Sequence, residues 1–233
     1  MKIALFGITG LKPGRHNLKD PRLDQADKLV EAGKKTHAQV EVVGKNELLQ
    51  ADVILASAEG KADLILKDLE FVETRLGRDP QPAERAALEK LRGALESERF
   101  IANAGLGPGE LAAVTAHRFV TSKPVVVAVD GELAKPEALV LRAFREGGGI
   151  CFLTVGGKEN RAWPIRRGMT AWEAAGAIHT DIQKGFIRAE IIGFEDFVAA
   201  GGETPAKRAG KQRLETKHYV VRDYDLANFR FNK

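Results

Sequence analysis

Four short runs of apolar and β-branched residues, at 2–6, 39–43, 52–56 and 124–129, lack the clean polar alternation of a half-exposed strand. Such runs fit strands covered on both faces, as in a parallel sheet flanked by helices. Helical patterns fall between them. The stretch 20–33 has Pro21 near its start, Leu23, Ala26, Leu29 and Val30 at helical spacing, and Gly33 as a stop. Residues 136–146 read the same way and end at Gly147, Gly148 and Gly149, which predict a hinge between domains. Ile65, Leu69, Val72 and Leu76 repeat at helical intervals, residues 77–82 (GRDPQP) break the pattern, and Leu88, Leu91 and Leu95 resume it. This predicts an antiparallel helical hairpin inserted into the sheet domain. The glycines of 103–109 read as a loop with no phosphate-binding role, since no strand leads into them.

From residue 150 the texture changes to short strands, predicted at 150–155, 160–166, 186–192, 217–221 and 226–231, around one helix at 170–178. Thr170 with Glu173 three residues later forms a capping box for that helix. Strands segregated around one helix indicate a compact α+β domain, of which the β-grasp is one form, expected to fold alone as 150–233. Residues 1–149 carry 22 Lys+Arg and 22 Asp+Glu, whereas 150–233 carry 14 and 10. The excess charge therefore sits in the C-terminal third, where a polyanionic partner would bind. No apolar stretch approaches the ~18 residues of a membrane helix, and no export signal opens the chain, so a cytoplasmic location is expected. The single cysteine, Cys151, excludes an internal disulfide and an all-cysteine metal cluster within one chain. His16, His37, His117, His179 and His218 show no metal-ligand spacing, and no metal or cofactor is expected.

Residues 168–190 (GMTAWEAAGAIHTDIQKGFIRAE), 209–225 (AGKQRLETKHYVVRDYD) and 229–232 (FRFN) resemble the C-terminal signature of the YchF/Obg-like ATPase family. The family pattern has glycine where this chain has Thr216 and Tyr224, so those two turns are expected to differ in backbone shape. Upstream, residues 20–24 (DPRLD), 62–76 and 121–129 resemble further family segments. The resemblance implies a reduced P-loop-like α/β domain at 1–58 and 110–147, an inserted helical hairpin at 59–109, and a TGS-type β-grasp domain at 150–233.

Family members bind nucleotide through a Gly-x-x-x-x-Gly-Lys-Ser loop, where glycine amides cradle phosphates, lysine reaches the terminal oxygens and the hydroxyl holds Mg²⁺. Starting that pattern at Gly7 puts Lys12, Pro13 and Gly14 at its last three positions; starting at Gly10 puts Arg15, His16 and Asn17 there. Neither supplies the lysine and hydroxyl. The metal-holding Asp-x-x-Gly step is absent after residue 43, and the base-reading Asn-x-x-Glu appears at 129–132 as VDGE, where Glu132 survives and Val129 replaces the asparagine. Three parts of a phosphoryl-transfer site are missing, which argues against hydrolysis and leaves no catalytic residue to assign. Gly7, Gly10, Lys12, Gly14, Arg15 and Glu132 mark what remains of the pocket.

The leading expectation is a non-hydrolytic adaptor whose TGS domain and hairpin contact RNA, the ribosome or a protein partner. A nucleotide-binding regulator using the vestigial pocket, and a purely protein-binding regulator, remain as alternatives. Candidate contacts are Arg166, Arg167, His179, Asp181, Lys184, Arg188, Lys207, Arg208, Lys211, Arg213 and Lys217.

Overall fold

A computed structural model describes residues 1–129 and 131–232. The elements run in the order β1 (Lys2–Phe6), β2 (Gly14–Asn17), α1 (Pro21–Leu29), β3 (Lys35–Thr36), β4 (Gln39–Val43), β5 (Val53–Ala56), α2 (Ala58–Leu76), α3 (Pro82–Glu96), α4 (Pro108–Val114), β6 (Val125–Val127) and α5 (Pro136–Glu146). They continue with β7 (Gly149–Thr154), β8 (Asn160–Arg166), α6 (Ala171–Ile178), α7 (Thr180–Lys184), β9 (Phe186–Ile192), α8 (Phe194–Ala200), α9 (Glu203–Arg208), β10 (Arg213–Glu215) and β11 (Leu226–Phe231). The chain forms two compact units, one of residues 2–14 and 41–139, the other chiefly of 15–40 and 140–233.

In the first unit β1 lies between β4 and β5, with β6 outside β5, and all these pairings are parallel. Every residue of β5 is buried, as a strand covered on both faces requires. The hairpin buries Ile65 and Val72 of α2 against Ala87, Leu88, Leu91 and Leu95 of α3, while Leu64 joins Ala4 and Ile54 in the sheet's own core. Asp68, buried within α2, accepts from the amides of Val120 and Thr121 and from the Thr121 hydroxyl at 2.7–2.8 Å, tying the hairpin to the turn before β6. Arg75 grips Glu84 across the hairpin, at 2.6 and 2.9 Å. His117 adds a hydrogen bond to Glu84 at 2.8 Å, and these two side-chain partners hold the Glu84 carboxyl down at about 2. The predicted loop at 103–109 is shorter than expected, because Pro108 starts α4 and the Glu110 side chain caps the amide of Gly107.

In the second unit the sheet order is β10-β9-β11-β7-β8-β3. β7 pairs antiparallel with β8 and parallel with β11, and β9 is antiparallel to both β10 and β11. α6 covers one face, packing Ala171, Ala174 and Ala175 on Ile150, Phe152, Ala189, Ile191 and Phe229. Its capping box forms as expected, Thr170 and Glu173 each accepting from the other's backbone amide. Alternation turns Asn160 of β8 to the opposite face. There its fully buried carboxamide donates to Asp27 and to the Val30 carbonyl at the end of α1 and accepts from the amide of Gly156.

The unit boundaries depart from the expected ones. Residues 15–40 group with the C-terminal strands, since α1 packs on β8 and α8 and β3 extends the sheet beside β8. Gly147–Gly149 is a tight corner and no hinge: a Cβ on Gly149 would lie 2.3 Å from the Phe144 ring, and Gly148 has φ +82°. The strand expected at 217–221 reduces to a single bridge between Thr170 and Val220, and the ladder beside β9 is made by Arg213–Glu215 instead. Contrary to the expected change of shape, Tyr224 takes the left-handed conformation open to a glycine, at φ +66°. Its ring is buried beneath the Arg22 guanidinium, 3.7 Å away, and against Phe194, so packing offsets the backbone strain.

Candidate functional site

In an open parallel sheet, ligands bind outside the carboxyl ends of the strands where the strand order reverses. Here that point lies between β1 and β5, at the loop 7–14 and the start of α2. Gly7, at φ +69°, approaches so closely that a Cβ would lie 2.4 Å from the Ser57 hydroxyl, which caps α2 by accepting from the Gly60 amide. Gly10 also has positive φ, at +84°. The loop then enters a strand, β2, at Gly14. A phosphate cradle needs a helix starting directly behind the loop, because the aligned first-turn amides and the helix dipole hold the anion. Here the loop leads into β2.

Lys12, Gly14 and Arg15 are exposed. Glu132 closes its own turn, its carboxylate accepting at 2.8 Å from the amide of Val129, the residue at the base-reading asparagine position. Among the described residues no group of three His, Cys, Asp or Glu side chains is placed to hold a metal ion.

The sheet order separates the basic candidates. Arg166 and Arg167 lie at the end of β8, with β7, β11 and β9 between them and β10. Lys207, Arg208, Lys211, Arg213 and Lys217 gather instead around α9 and β10. Lys207 pairs with Glu203 at 2.7 Å and Lys211 with Asp196 at 3.0 Å, both exposed enough for exchange with a partner's phosphates. Arg213 is more tied, bonding Glu215 and the Tyr219 hydroxyl at 3.1 Å. The Tyr219 hydroxyl donates to buried Asp225 at 2.7 Å, and burial together with that carboxylate pushes the phenol up to about 12.

His179 Nδ1 accepts from the Asp181 amide at 3.1 Å as the N-cap of α7, and it also lies 3.4 Å from the Asp181 carboxylate. With Lys184 they rim an open hollow that also includes Phe231. Arg188 of β9 stands opposite Arg230 of β11, and Glu190 opposite Asn228, all on the face away from α6. Glu190 and Arg230 fall in the segments that carry the family resemblance and Asn228 lies just outside them, but none is among the candidate contacts. The signal for them is the period-two alternation of β9 and β11.

The family described as YchF-GTPase_C, protein of unknown function (DUF933), matches residues 150–232. The ribosome-binding ATPase YchF of Haemophilus influenzae is 33% identical over 232 residues, covering 73% of this chain. The chain spans 64% of that relative's length. Against the ribosome-binding ATPase YchF of Escherichia coli O157:H7 identity rises to 58% over 81 residues, 35% of this chain and 22% of that protein. The solved structure of the Schizosaccharomyces pombe YchF GTPase superposes with a TM-score of 0.76 at 18% identity, covering 99% of this chain and 97% of that one, so the two share a fold.

Proposed function

This chain belongs to the YchF/Obg-like ATPase family, and from that premise we propose that it is a non-hydrolytic adaptor of the cytoplasm which binds RNA on a ribosomal particle through its C-terminal unit. That unit is read as a TGS-type β-grasp, with α6 laid across one face of its mixed sheet. The observation that carries the non-hydrolytic part is the passage of the loop 7–14 into β2, where nucleotide handling calls for a helix N-terminus. Thermal melting tests it. A ligand at a hundred times its Kd stabilises the native state by about 2.7 kcal/mol. Millimolar ATP or GTP with Mg²⁺ is expected to leave the melting temperature unchanged, and a saturable upward shift would replace this reading with the nucleotide-binding regulator.

The partner is tested by co-sedimentation with ribosomes. The variant Lys207→Glu, Arg208→Glu, Lys211→Glu, Lys217→Glu is expected to abolish binding, whereas Arg166→Glu with Arg167→Glu, at the other side of the sheet, should leave it nearly intact. Wild-type affinity for single-stranded RNA should fall with salt at a log–log slope of roughly −0.7 per phosphate contact. Both variants should melt within about 1 kcal/mol of wild type, because exposed charge pairs contribute little. Undiminished binding by the fourfold variant would point to the protein-partner reading.

A further inference from the structure

A cavity of about 350 Å³ opens on the sheet face away from α6, over β9, β11 and β7. Leu153, Ile192 and Leu226 give it apolar walls, and Glu190, Gln212 and Asn228 supply its polar groups. Glu190 and Asn228 face each other across the strand pair, and the Asn228 amide nitrogen donates to Glu190 at 2.9 Å. That bond orients the carboxamide and leaves its carbonyl oxygen as an acceptor. Burial raises the Glu190 pKa, but hydrogen bonds from Asn228 and Arg230 bring it below the usual carboxylate range, so this group too only accepts. Gln212 makes no side-chain hydrogen bond to another described residue and offers both donors and an acceptor. Gly157 of the lining has φ +65° with nothing within 4 Å of where a Cβ would stand.

An aliphatic ligand would strand these acceptors without partners, and an anion would meet Glu190 and Glu203. A flat heterocycle bearing an amino group satisfies both walls and acceptors. Carboxamides pair with an adenine edge and carboxylates accept from the cytosine amino group. Three cations border the cavity: Arg230 bonds Glu190, Lys207 pairs with Glu203, and Arg188 stands opposite Arg230. We infer that this cavity receives a single nucleobase carrying an exocyclic amino group, with the attached phosphates lying along Arg188, Lys207 and Arg230. The inference rests on the RNA-contacting reading above and gives that contact a base preference.

Fluorescence anisotropy with ten-nucleotide oligo-A, oligo-C and oligo-U at one salt concentration tests it, with AMP and CMP as competitors. Oligo-A or oligo-C is expected to bind at least about fivefold tighter than oligo-U. Asn228→Ala and Gln212→Ala should each remove that preference while leaving oligo-U affinity unchanged, and Arg188→Glu should weaken all three alike. Because Gln212 has no side-chain hydrogen bond to lose among the described residues, its variant separates recognition from folding, and an unaltered melting temperature checks this. Displacement by AMP or CMP with the same sensitivity to Gln212→Ala would support the base chemistry and identify a free nucleotide as its source. Equal affinity for the three oligomers, or a preference that survives both alanine variants, overturns the base pocket while the RNA reading stands. Absence of binding to every oligomer and mononucleotide overturns both.

Discussion

Replacing Asp20 by alanine is expected to destabilise the C-terminal unit by about 3 kcal/mol, the lower end of the range for breaking a buried ion pair, since its arginine partners are partly exposed. Asp20 is 3% exposed. It caps α1 by accepting from the Arg22 amide at 3.1 Å, accepts from the Arg22 side chain at 3.1 and 2.8 Å, and also bonds Arg145. Arg22 in turn reaches Asp223 at 2.8 Å, whose other oxygen accepts from the Cys151 amide at 3.0 Å. The residues 20–24 that resemble a family motif thus act here as a latch between α1, α5 and the turn before β11. The pH dependence has a definite sign. Burial pushes the Asp20 pKa up, but the Arg22 hydrogen bonds and the Arg22 and Arg145 charges outweigh it and leave the carboxyl below its ordinary value. A lowered folded-state pKa gives stabilisation that is complete above the unfolded value of about 3.9 and is lost as pH falls through the folded one. Urea melts should therefore show the full difference between wild type and Asp20→Ala at pH 7 and a shrinking one below about pH 4. A difference under about 1 kcal/mol at pH 7 would mean that the latch does not hold.

The fragment 150–233 should not fold into a fixed structure by itself, in contrast to what the change of texture at residue 150 suggests. Without 15–40 it loses β3 from the sheet edge and the burial of Leu23 and Ala26, and the buried Asn160 loses Asp27 and the Val30 carbonyl. Each stranded buried polar group costs about 1–3 kcal/mol, a large part of the margin of a domain this size. The expected result is near-native far-UV circular dichroism with weak near-UV signal, and recovery of both on adding a peptide of residues 15–40. A fragment that melts cooperatively near the full chain's temperature would show that the C-terminal strands are self-sufficient.

The recognition of this fold came largely from local patterns whose physics is complete within a few residues. The apolar run 52–56 lacks alternation because both faces are covered, the hairpin stripes at 65–76 and 88–95 face each other, and Thr170 with Glu173 caps α6 through atoms three residues apart. The departure of residues 7–14 from the nucleotide-binding pattern is legible for the same reason, since Pro13 has no N–H and Gly14 no hydroxyl whatever surrounds them. What tertiary structure alone decided are choices between distant partners. The stripe of Leu23 and Ala26 announces a helix with one buried face but does not say against what, and α1 packs on β8, more than a hundred residues away. β2 has no apolar pattern and is a strand because it pairs beside β4. Arg166 and Arg213 look alike as charges in the chain, yet the strand order puts β7, β11 and β9 between them. Glu190, Asn228 and Gln212 form a pocket only because β9, β11 and the residue before β10 become neighbours. Periodicity fixes which face of an element is buried; strand order and register are set by long-range pairing, and the composition of a binding surface follows from those.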